Sequence, residues 1–355
     1  MSRRQQAMVV VRSRSIALPN GTDAQLFTLG AGTGLTVTLS DLGATLIAIS
    51  APDRDGGVDN VLLGSHDLAD YPVAGSARSH HYLGATCGRF ANRIAGARFV
   101  LDGHEYRVAA NDPPHHLHGG VVGFDALRWN AQLVTDGVTM QLESADGDQG
   151  FPGTLTVQAT FRIIDGDTLE IAYEATSDRP THVNLTSHGY FNLAGRDSIT
   201  AADHLLTIAA DRYLPIAPDA IPLGTLEPVV GTPFDFRTPR AIGERIDADH
   251  PQIEAGDGYN HCFALDTPRL DRTSAVLSHR GSGRRMAIAT SVPGLQLYSG
   301  NALPDDGLAR GRRSGVAIEA QHFPDTPNRP GFPATRLDPG ETWRSVTRLT
   351  FSADG

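Results

Sequence analysis

The 355-residue chain lacks the signatures of several large classes of protein. No GxGxxG follows a strand-like segment and no GxxxxGK[ST] occurs, so the two common nucleotide-phosphate motifs are missing. No apolar run approaches the roughly 20 residues of a membrane-spanning helix. Lys and Arg are outnumbered 30 to 40 by Asp and Glu, and the net charge of −10 should repel nucleic acid and anionic lipid. We therefore expect neither nucleic acid nor membrane as a partner.

Cysteine and tryptophan are also scarce. The two cysteines, Cys87 and Cys262, cannot build a disulfide framework and lie in no CxxC or zinc-ligand spacing. A single bridge between them is compatible with the sequence, but a reducing, cytoplasmic compartment is the expectation. Aromatic residues make up 6% of the chain, with Trp129 and Trp343 as the two tryptophans, so a stacking platform for sugars is not evident.

The residues that are abundant predict β-structure. The 38 glycines and 22 prolines are scattered between short alternating segments such as Leu155–Phe161, Thr168–Glu174 and Trp343–Phe351. Asp-Gly pairs at 102–103 and 165–166 predict tight hairpins. The predicted fold class is all-β, a large antiparallel β-sandwich.

Helical periodicity is limited to a few short segments, of which Asp235–Arg245 is the longest candidate. The sequence shows no linker, no change of composition and no repeat at a fixed period. We therefore expect a flexible lead-in over residues 1–12 and one domain over residues 13–355.

The stretch Thr181–Gly195, THVNLTSHGYFNLAG, surrounds His188 with side chains that can bond hydroxyl groups. Its apolar and aromatic residues can anchor it in a core as strand and turn. A buried histidine is more often structural than catalytic, so His188 becomes a catalytic candidate only if other clusters in the chain supply partner groups.

Two further clusters lie upstream. In Gly88–Ile94, Asn92 and Arg93 offer donors, and a guanidinium suits the oxygens of a polyol or carboxylate, although Arg93 could equally bond turn carbonyls. In Asn111–Gly120, three histidines occupy four positions, but His-His-x-His in a loop is not a usual zinc signature. His118, beside two glycines, is predicted to face a ligand, whereas His115 and His116 are predicted to be solvated.

The last clusters lie near the C-terminus. Glu319 follows the apolar strand Val316–Ile318, where partial desolvation would raise its pKa towards the range of a general base. The alternative is a surface glutamate on an alternating strand. Two Gly-containing turns that run into apolar strands place the amides of Asn260 and Gln296 where each can face a pocket.

Together these clusters resemble the aldose 1-epimerase (galactose mutarotase) family. The matching strings are GRFANRIAGARFVLDGHEY, HHLHGGVVGFD, THVNLTSHGYFNLAG, GYNHCFAL, PGLQLYSGN and AIEAQHFPDTPN, which run from about Gly88 to Asn328. The resemblance implies a galactose mutarotase-like supersandwich in one domain and no cofactor. It also implies interconversion of the α and β anomers of free aldoses. We expect a monomer or homodimer, a choice that the sequence does not decide.

The resemblance assigns roles to individual residues. Glu319 matches the family's general base and His188 its general acid. The residues that match substrate-binding positions are His118, Asn92, Arg93 and Gln296. The family usually has Asp where this chain has Asn260, which loses the charge and gains donors, so the sugar preference is open.

The implied chemistry agrees with elementary reasoning. Mutarotation needs one proton removed from the anomeric hydroxyl and one delivered to the ring oxygen, and a carboxylate plus an imidazolium suffice. Three alternatives remain at this stage: a carbohydrate-binding sandwich without catalysis, a mutarotase specialised for a pentose such as xylose or arabinose, and a glycoside hydrolase. The last would need a second carboxylate, for which Asp325 is the candidate.

Overall fold

A computed structural model describes residues 10–18, 20–30, 34–65, 67–73 and 81–354. Most of the expected lead-in lies outside the described residues, and its last three, 10–12, belong to the first strand. Within the described ranges no helix is both long enough and apolar enough to cross a membrane.

The described part of the chain forms 28 strands, one α-helix and six 3₁₀ turns. The strands are β1 Val10–Ala17, β2 Asp23–Gly30, β3 Thr36–Ser40, β4 Thr45–Pro52, β5 Val58–Asn60, β6 Thr86–Cys87, β7 Arg93–Ile94, β8 Arg98–Leu101, β9 His104–Arg107, β10 His116–Leu117, β11 Asn130–Val134, β12 Gly137–Ser144, β13 Leu155–Ile164, β14 Thr168–Ser177, β15 Thr181–His182, β16 Thr186–Ser187, β17 Tyr190–Phe191, β18 Leu205–Ile208, β19 Arg212–Tyr213, β20 Glu227–Pro228, β21 Arg240–Ala241, β22 Asn260–Ala264, β23 Ala275–Ser278, β24 Arg284–Thr290, β25 Gly294–Tyr298, β26 Val316–Gln321, β27 Arg336–Leu337 and β28 Trp343–Ala353. The helix is α1 Pro251–Gly256, and the 3₁₀ turns are Leu68–Asp70, Ala95–Ala97, Phe124–Ala126, Asp148–Gly150, Ile242–Glu244 and Thr326–Asn328.

Three larger sheets carry the architecture. Their strand orders are β1-β2-β3-β4-β5, then β11-β12-β13-β14-β28-β24-β23-β18-β21, and finally β17-β26-β25-β22-β19-β20, with all ladders between named strands antiparallel. β4 packs against β28 and β2 packs against β13, so the five-stranded sheet lies on the nine-stranded one. This is the predicted antiparallel sandwich.

One core joins the three sheets because each turns an apolar face inward. In β13 every second residue from Leu155 to Ile163 is buried while Thr156 and Arg162 are exposed, the alternation of a half-buried strand. The main core cluster includes Leu39 of the first sheet, Phe161 of the second and Leu295 of the third. This shared core fixes the six-stranded sheet, whose other face carries the site described below.

Both predicted hairpins are present, with β8 paired to β9 around Asp102-Gly103 and β13 paired to β14 around Asp165-Gly166. The predicted helix over Asp235–Arg245 is wrong: the segment holds a single 3₁₀ turn at Ile242–Glu244. Pro239 interrupts it, since proline lacks the donor of a helix interior and biases the residue before it towards an extended conformation.

The α-helix lies further on, at Pro251–Gly256, with Pro at its start and the residue after it, Asp257, left-handed at φ 52°. A helix of six residues has fewer than two turns, too few to give a periodic pattern. The two cysteines are both free and buried, so the bridge that the sequence allowed is not formed.

Candidate active site

The face of the six-stranded sheet that points away from the core forms the floor of a pocket. Glu319 on β26 pairs directly with Gln296 on β25, and Asn260 on β22 pairs with Tyr298 on β25. Directly opposed residues project to the same face of a sheet, and so do residues two apart in one strand. The register therefore gathers Glu319, Gln296, Tyr298 and Asn260 on one surface.

Loops from distant parts of the sequence close this floor into a pocket of about 360 Å³. That volume lies within the range of about 300–1,000 Å³ usual for small-molecule sites. All the predicted site residues line this one pocket. The full described lining is His81, Tyr82, Asn92, Arg93, Asp112, Leu117, His118, His188, Tyr190, Asn260, Gln296, Tyr298, Ala302 and Glu319.

Glu319 is the most perturbed acid of the pocket. Its side chain is 2% exposed, and its Oε2 has no hydrogen-bond partner within the described structure. Burial raises the pKa of Glu319 from 4.5 to about 8, against a smaller opposing effect of the Arg93 charge. The prediction of partial desolvation understated this, because Glu319 lies within β26 on its pocket face and not at the strand's end.

His188 faces Glu319 across a narrow gap. Its Nε2 lies 3.6 Å from Oε1 of Glu319, too far for a hydrogen bond and close enough for both groups to reach one substrate. The backbone holds it, since the His188 N–H donates to Ala85 O at 2.9 Å and its carbonyl accepts from Gly84 N–H at 2.9 Å. His188 is 4% exposed, so the carboxylate and the imidazole are both shielded from bulk water.

His118 completes a triangle with these two groups. The backbone N–H of Asn92 donates to Nδ1 of His118 at 3.2 Å. Because a backbone N–H can only donate, the neutral ring must carry its proton on Nε2. The ring, which lines the pocket, is therefore a hydrogen-bond donor at Nε2.

The same tautomer argues against a metal. Suitable atoms of His118, His188 and Glu319 all lie within 4.8 Å of one another, a spacing that a cation could bridge. A metal-binding histidine, however, normally donates from its second ring nitrogen, whereas the second nitrogen of His118 accepts. The donor set suits a polar organic ligand better than an ion.

Arg93 and Asn92 form the wall beside His118. Nε of Arg93 donates to Oδ2 of Asp112 at 2.8 Å, while its two terminal amino groups have no protein partner among the described residues. Oδ1 of Asn92 accepts the Arg93 backbone N–H at 2.9 Å, which orients the amide. Arg93 therefore faces the pocket as a hydrogen-bond donor, as predicted, and a carboxylate of the protein holds it in place.

Gln296 and Asn260 are bound to each other. Nε2 of Gln296 donates to Oδ1 of Asn260 at 2.9 Å, whereas Oε1 of Gln296 is buried without a partner in the described structure. A buried carbonyl oxygen left unpaired costs about 1–3 kcal/mol, which a ligand hydroxyl would recover. These two amides therefore present a ready acceptor to the pocket.

With this geometry established, comparison with known proteins gives a consistent answer. The aldose 1-epimerase family model matches residues 25–350. The chain is 39% identical to galactose mutarotase of Sus scrofa over 325 residues, 90% of this chain and 91% of the relative. It is 38% identical to aldose 1-epimerase of Escherichia coli over 345 residues, 95% and 97% of the two chains.

The chain belongs to the aldose 1-epimerase family.

A solved structure agrees with the family's fold. The crystal structure of galactose 1-epimerase from Lactobacillus acidophilus has a TM-score of 0.86 and 29% identity, covering 98% of this chain and 100% of that one.

Asn184 joins three of the family's sequence strings at the back of the site. Its Nδ2 donates to Ala91 O and to His322 O, and its Oδ1 accepts the His322 N–H at 2.9 Å. Its backbone bonds Arg89 O and the Ala91 N–H. This fully buried amide holds together the segments that carry Arg93, His188 and Glu319.

The predicted solvation of His115 and His116 is wrong, because both are buried. Nδ1 of His115 accepts the Gly96 N–H at 3.0 Å and its Nε2 lies 3.1 Å from Oδ2 of Asp219. His116 bonds Ala109 O at 2.8 Å, and burial lowers the pKa of His116 to about 4. Both rings brace the loop that presents His118.

Sequence reasoning missed Tyr82, Tyr298 and Asp112 as lining residues. A continuous row of rings runs Tyr82–His118–His188–Tyr190–Tyr298, with neighbouring centroids 4.6, 5.1, 4.9 and 6.0 Å apart. The low aromatic content of the chain gave no indication of this row of rings. Tyr298 had a local signal, since it lies two residues after Gln296 on the same strand face, and Asp112 lies within the Asn111–Gly120 cluster.

Asp325, the candidate second acid of a glycoside hydrolase, does not line the pocket. It is fully buried and accepts from the Ala95 N–H, Nδ2 of Asn328 and Nε of Arg329 at 2.8–2.9 Å. Its oxygens are committed to holding the following loop. The structure therefore offers no support for a glycosidase pair of Glu319 and Asp325.

Proposed function

We propose that this protein is an aldose 1-epimerase that interconverts the α and β anomers of free aldoses, with Glu319 as general base and His188 as general acid. The observation that carries the proposal is the pair itself. A buried carboxylate and a buried imidazole lie 3.6 Å apart and face a pocket of monosaccharide size in a member of this family.

Ring opening follows from the chemistry of the pair. Ionised Glu319 takes the proton of the anomeric hydroxyl O1, the C1–O5 bond breaks, and protonated His188 delivers a proton to the ring oxygen O5. Rotation about C1–C2 turns the other face of the aldehyde towards O5, and closure reverses both transfers. Proton transfer by a positioned group typically contributes about 10²–10⁴-fold, which is sufficient for a reaction that already proceeds in water.

The raised pKa of Glu319 helps this step. A carboxylate with a pKa of about 8 is a much stronger base than an ordinary one, although near neutral pH it holds a proton for most of the time. That proton can pass to His188, 3.6 Å away, to give the ionised base and the protonated acid together. The pair thus needs one shared proton and no metal or cofactor.

The other residues position the sugar. His118 donates from Nε2, and Arg93 and Asn92 offer further donors. Gln296 Oε1 accepts, and Asn260 sits where it orients that amide. Relatives are called galactose mutarotase and aldose 1-epimerase, so galactose and glucose are the substrates we propose first, with xylose and arabinose as alternatives.

We also propose that residues 13–355 act as one domain, as a monomer or homodimer, in the cytoplasm. The free thiols of Cys87 and Cys262 are the feature that supports a reducing compartment.

The test is polarimetry on freshly dissolved α-anomers of the four sugars. Wild type should accelerate the decay of optical rotation, and Glu319→Gln should lose about 10²–10⁴-fold of that acceleration. Glu143→Gln, an exposed glutamate on β12, is the matched control and should behave as wild type. No acceleration for any sugar, with binding still seen by calorimetry, would reject catalysis in favour of a binding module.

A further inference from the structure

We propose that Asp112 is a substrate-binding residue: its carboxylate, together with the guanidinium of Arg93, binds hydroxyls of the sugar other than the reacting one and thereby sets sugar preference. This inference rests on the proposed function, because it assigns the ligand of the same pocket.

Asp112 is built into the pocket wall as an available acceptor. Its side chain is 39% exposed and lines the pocket, with Oδ2 bound to Nε of Arg93 at 2.8 Å. Oδ1 has no hydrogen-bond partner among the described residues. The two residues therefore present a free carboxylate oxygen beside free guanidinium donors, complementary to a hydroxyl pair that both accepts and donates.

The pocket has few other groups for this task. Among its described lining residues, the carboxylates are Glu319 and Asp112. The proposed function assigns Glu319 to the reacting hydroxyl. Oδ1 of Asn260 already accepts from Gln296. Hydrogen bonds to a charged acceptor are roughly twice as strong as those to a neutral one, so Asp112 should contribute more to hydroxyl recognition than either amide.

The loop around Asp112 holds the carboxylate in place. The Asp112 N–H donates to His115 O at 3.1 Å, and the His115 N–H donates back to Asp112 O at 2.7 Å. Asn111 spans the loop with bonds to the N–H and the carbonyl of Leu117. A preorganised acceptor loses less entropy on binding, and His118 lies in the same loop, so both groups keep a fixed relation to the sugar.

Such a residue discriminates by the hydroxyl it binds. A site built to bond a hydroxyl rejects analogues that lack it, because the site's polar groups are then left unpaired. Replacing Asp112 should therefore weaken binding of the full sugar, and should have little effect on binding of a deoxy sugar that lacks a hydroxyl bound by Asp112.

The experiment measures binding and catalysis separately. Calorimetry gives Kd and polarimetry gives kcat and KM for D-galactose and for its 2-, 3-, 4- and 6-deoxy analogues, with wild type and Asp112→Asn. The asparagine keeps an oxygen that can accept from Arg93, so the arginine stays in place while the charge is lost. Asp219→Asn is the control, since Asp219 contacts His115 of the same loop without lining the pocket.

For Asp112→Asn we expect Kd and KM for galactose to rise about 10- to 100-fold with kcat changed less than about threefold. The penalty should vanish for one deoxy analogue or for two with neighbouring positions, and Asp219→Asn should show none of this pattern.

A uniform penalty across all analogues, or an equal one in Asp219→Asn, would overturn the proposal and make Asp112 a positioning residue only. A wild-type protein that binds galactose without accelerating mutarotation would refute the proposed catalysis, while its Kd values would still decide the role of Asp112.

Discussion

Two requirements oppose each other at Glu319. Burial makes the carboxylate a stronger base by raising its pKa to about 8, and the same burial disfavours the ionised form in the folded state. In the role that we propose for it, Glu319 serves the reaction at the expense of the fold, a common trade at active sites.

This conflict predicts a pH-dependent gain in stability for Glu319→Gln. The folded pKa of about 8 lies above the ordinary value of 4.5. The contribution of protonated Glu319 to the free energy of unfolding is therefore fully present below pH 4.5 and is lost as pH rises through 8. Glutamine cannot ionise. Its free energy of unfolding should therefore exceed that of wild type by an amount that grows between those pH values, reaching on the order of a few kcal/mol.

Denaturant unfolding at a series of pH values measures the difference. Glu143→Gln, exposed on β12, should differ from wild type by a small amount that barely changes over this range. A Glu319→Gln difference that stayed constant with pH would mean that the carboxylate is solvated in the folded protein.

His116 and Tyr82 show where sequence reasoning stops at this scale. That Glu319, His188 and Arg93 would face a pocket could be predicted, because their side-chain chemistry and their neighbours can be read from the sequence. Whether a histidine is solvated depends on which segment packs over it, and His116 is covered by Phe151, 35 residues on. No local pattern indicates such a contact.

At the scale of elements, the register of β22, β25 and β26 decides the site. Shifting a strand by one residue would turn its pocket side chains to the core face. Alternation and the Asp-Gly turns made the hairpins predictable, since those signals are local. Pairing between β25 and β26 joins residues across an irregular stretch that contains Pro304, and the sequence alone could not specify it.

The turn after His118 offers a prediction at this scale. Gly119 has φ +98°, and a Cβ there would lie 1.7 Å from the carbonyl oxygen of Gly88. Gly119→Ala should lower the free energy of unfolding by roughly 3 kcal/mol or more, or reduce the soluble yield sharply, because backbone must move.

Gly103→Ala is its matched control. Gly103 has φ +80° with nothing within 4 Å of the added Cβ, so it should lose only about 1–2 kcal/mol from the conformation itself. Thermal and denaturant melts compare the two variants. Equal losses would mean that close approach of the two backbones does not restrict residue 119.

For the whole molecule, the site depends on bringing together strings that are far apart in sequence. The resemblance predicted that these strings share one site and that the fold is a sandwich. It did not indicate what holds them together, because the buried contacts of Asn184 form only when the sheets assemble.

Asn184→Ala should therefore affect stability and activity together. It removes three side-chain hydrogen bonds and leaves the Ala91 and His322 backbone groups unpaired in a buried place. We expect a loss of about 2–5 kcal/mol in the free energy of unfolding and a fall in kcat/KM. Urea unfolding and polarimetry measure the two effects.

Asn130→Ala, on an exposed position of β11, is the control and should change neither quantity appreciably. If Asn184→Ala lost activity at unchanged stability, Asn184 would act on the site locally and would not hold its segments together.

The two buried thiols have a practical consequence. Cys87 pairs with Thr186, two residues before His188, and Cys262 pairs with Gln296, so each cysteine lies on a strand next to one that carries or precedes a pocket residue. Burial raises the pKa of both thiols, and alkylation requires an accessible thiolate. Labelling of the folded protein must therefore wait for a local opening. The labelling rate of each cysteine by a thiol reagent should therefore report how often the strands around it open, and how far a bound sugar slows that opening.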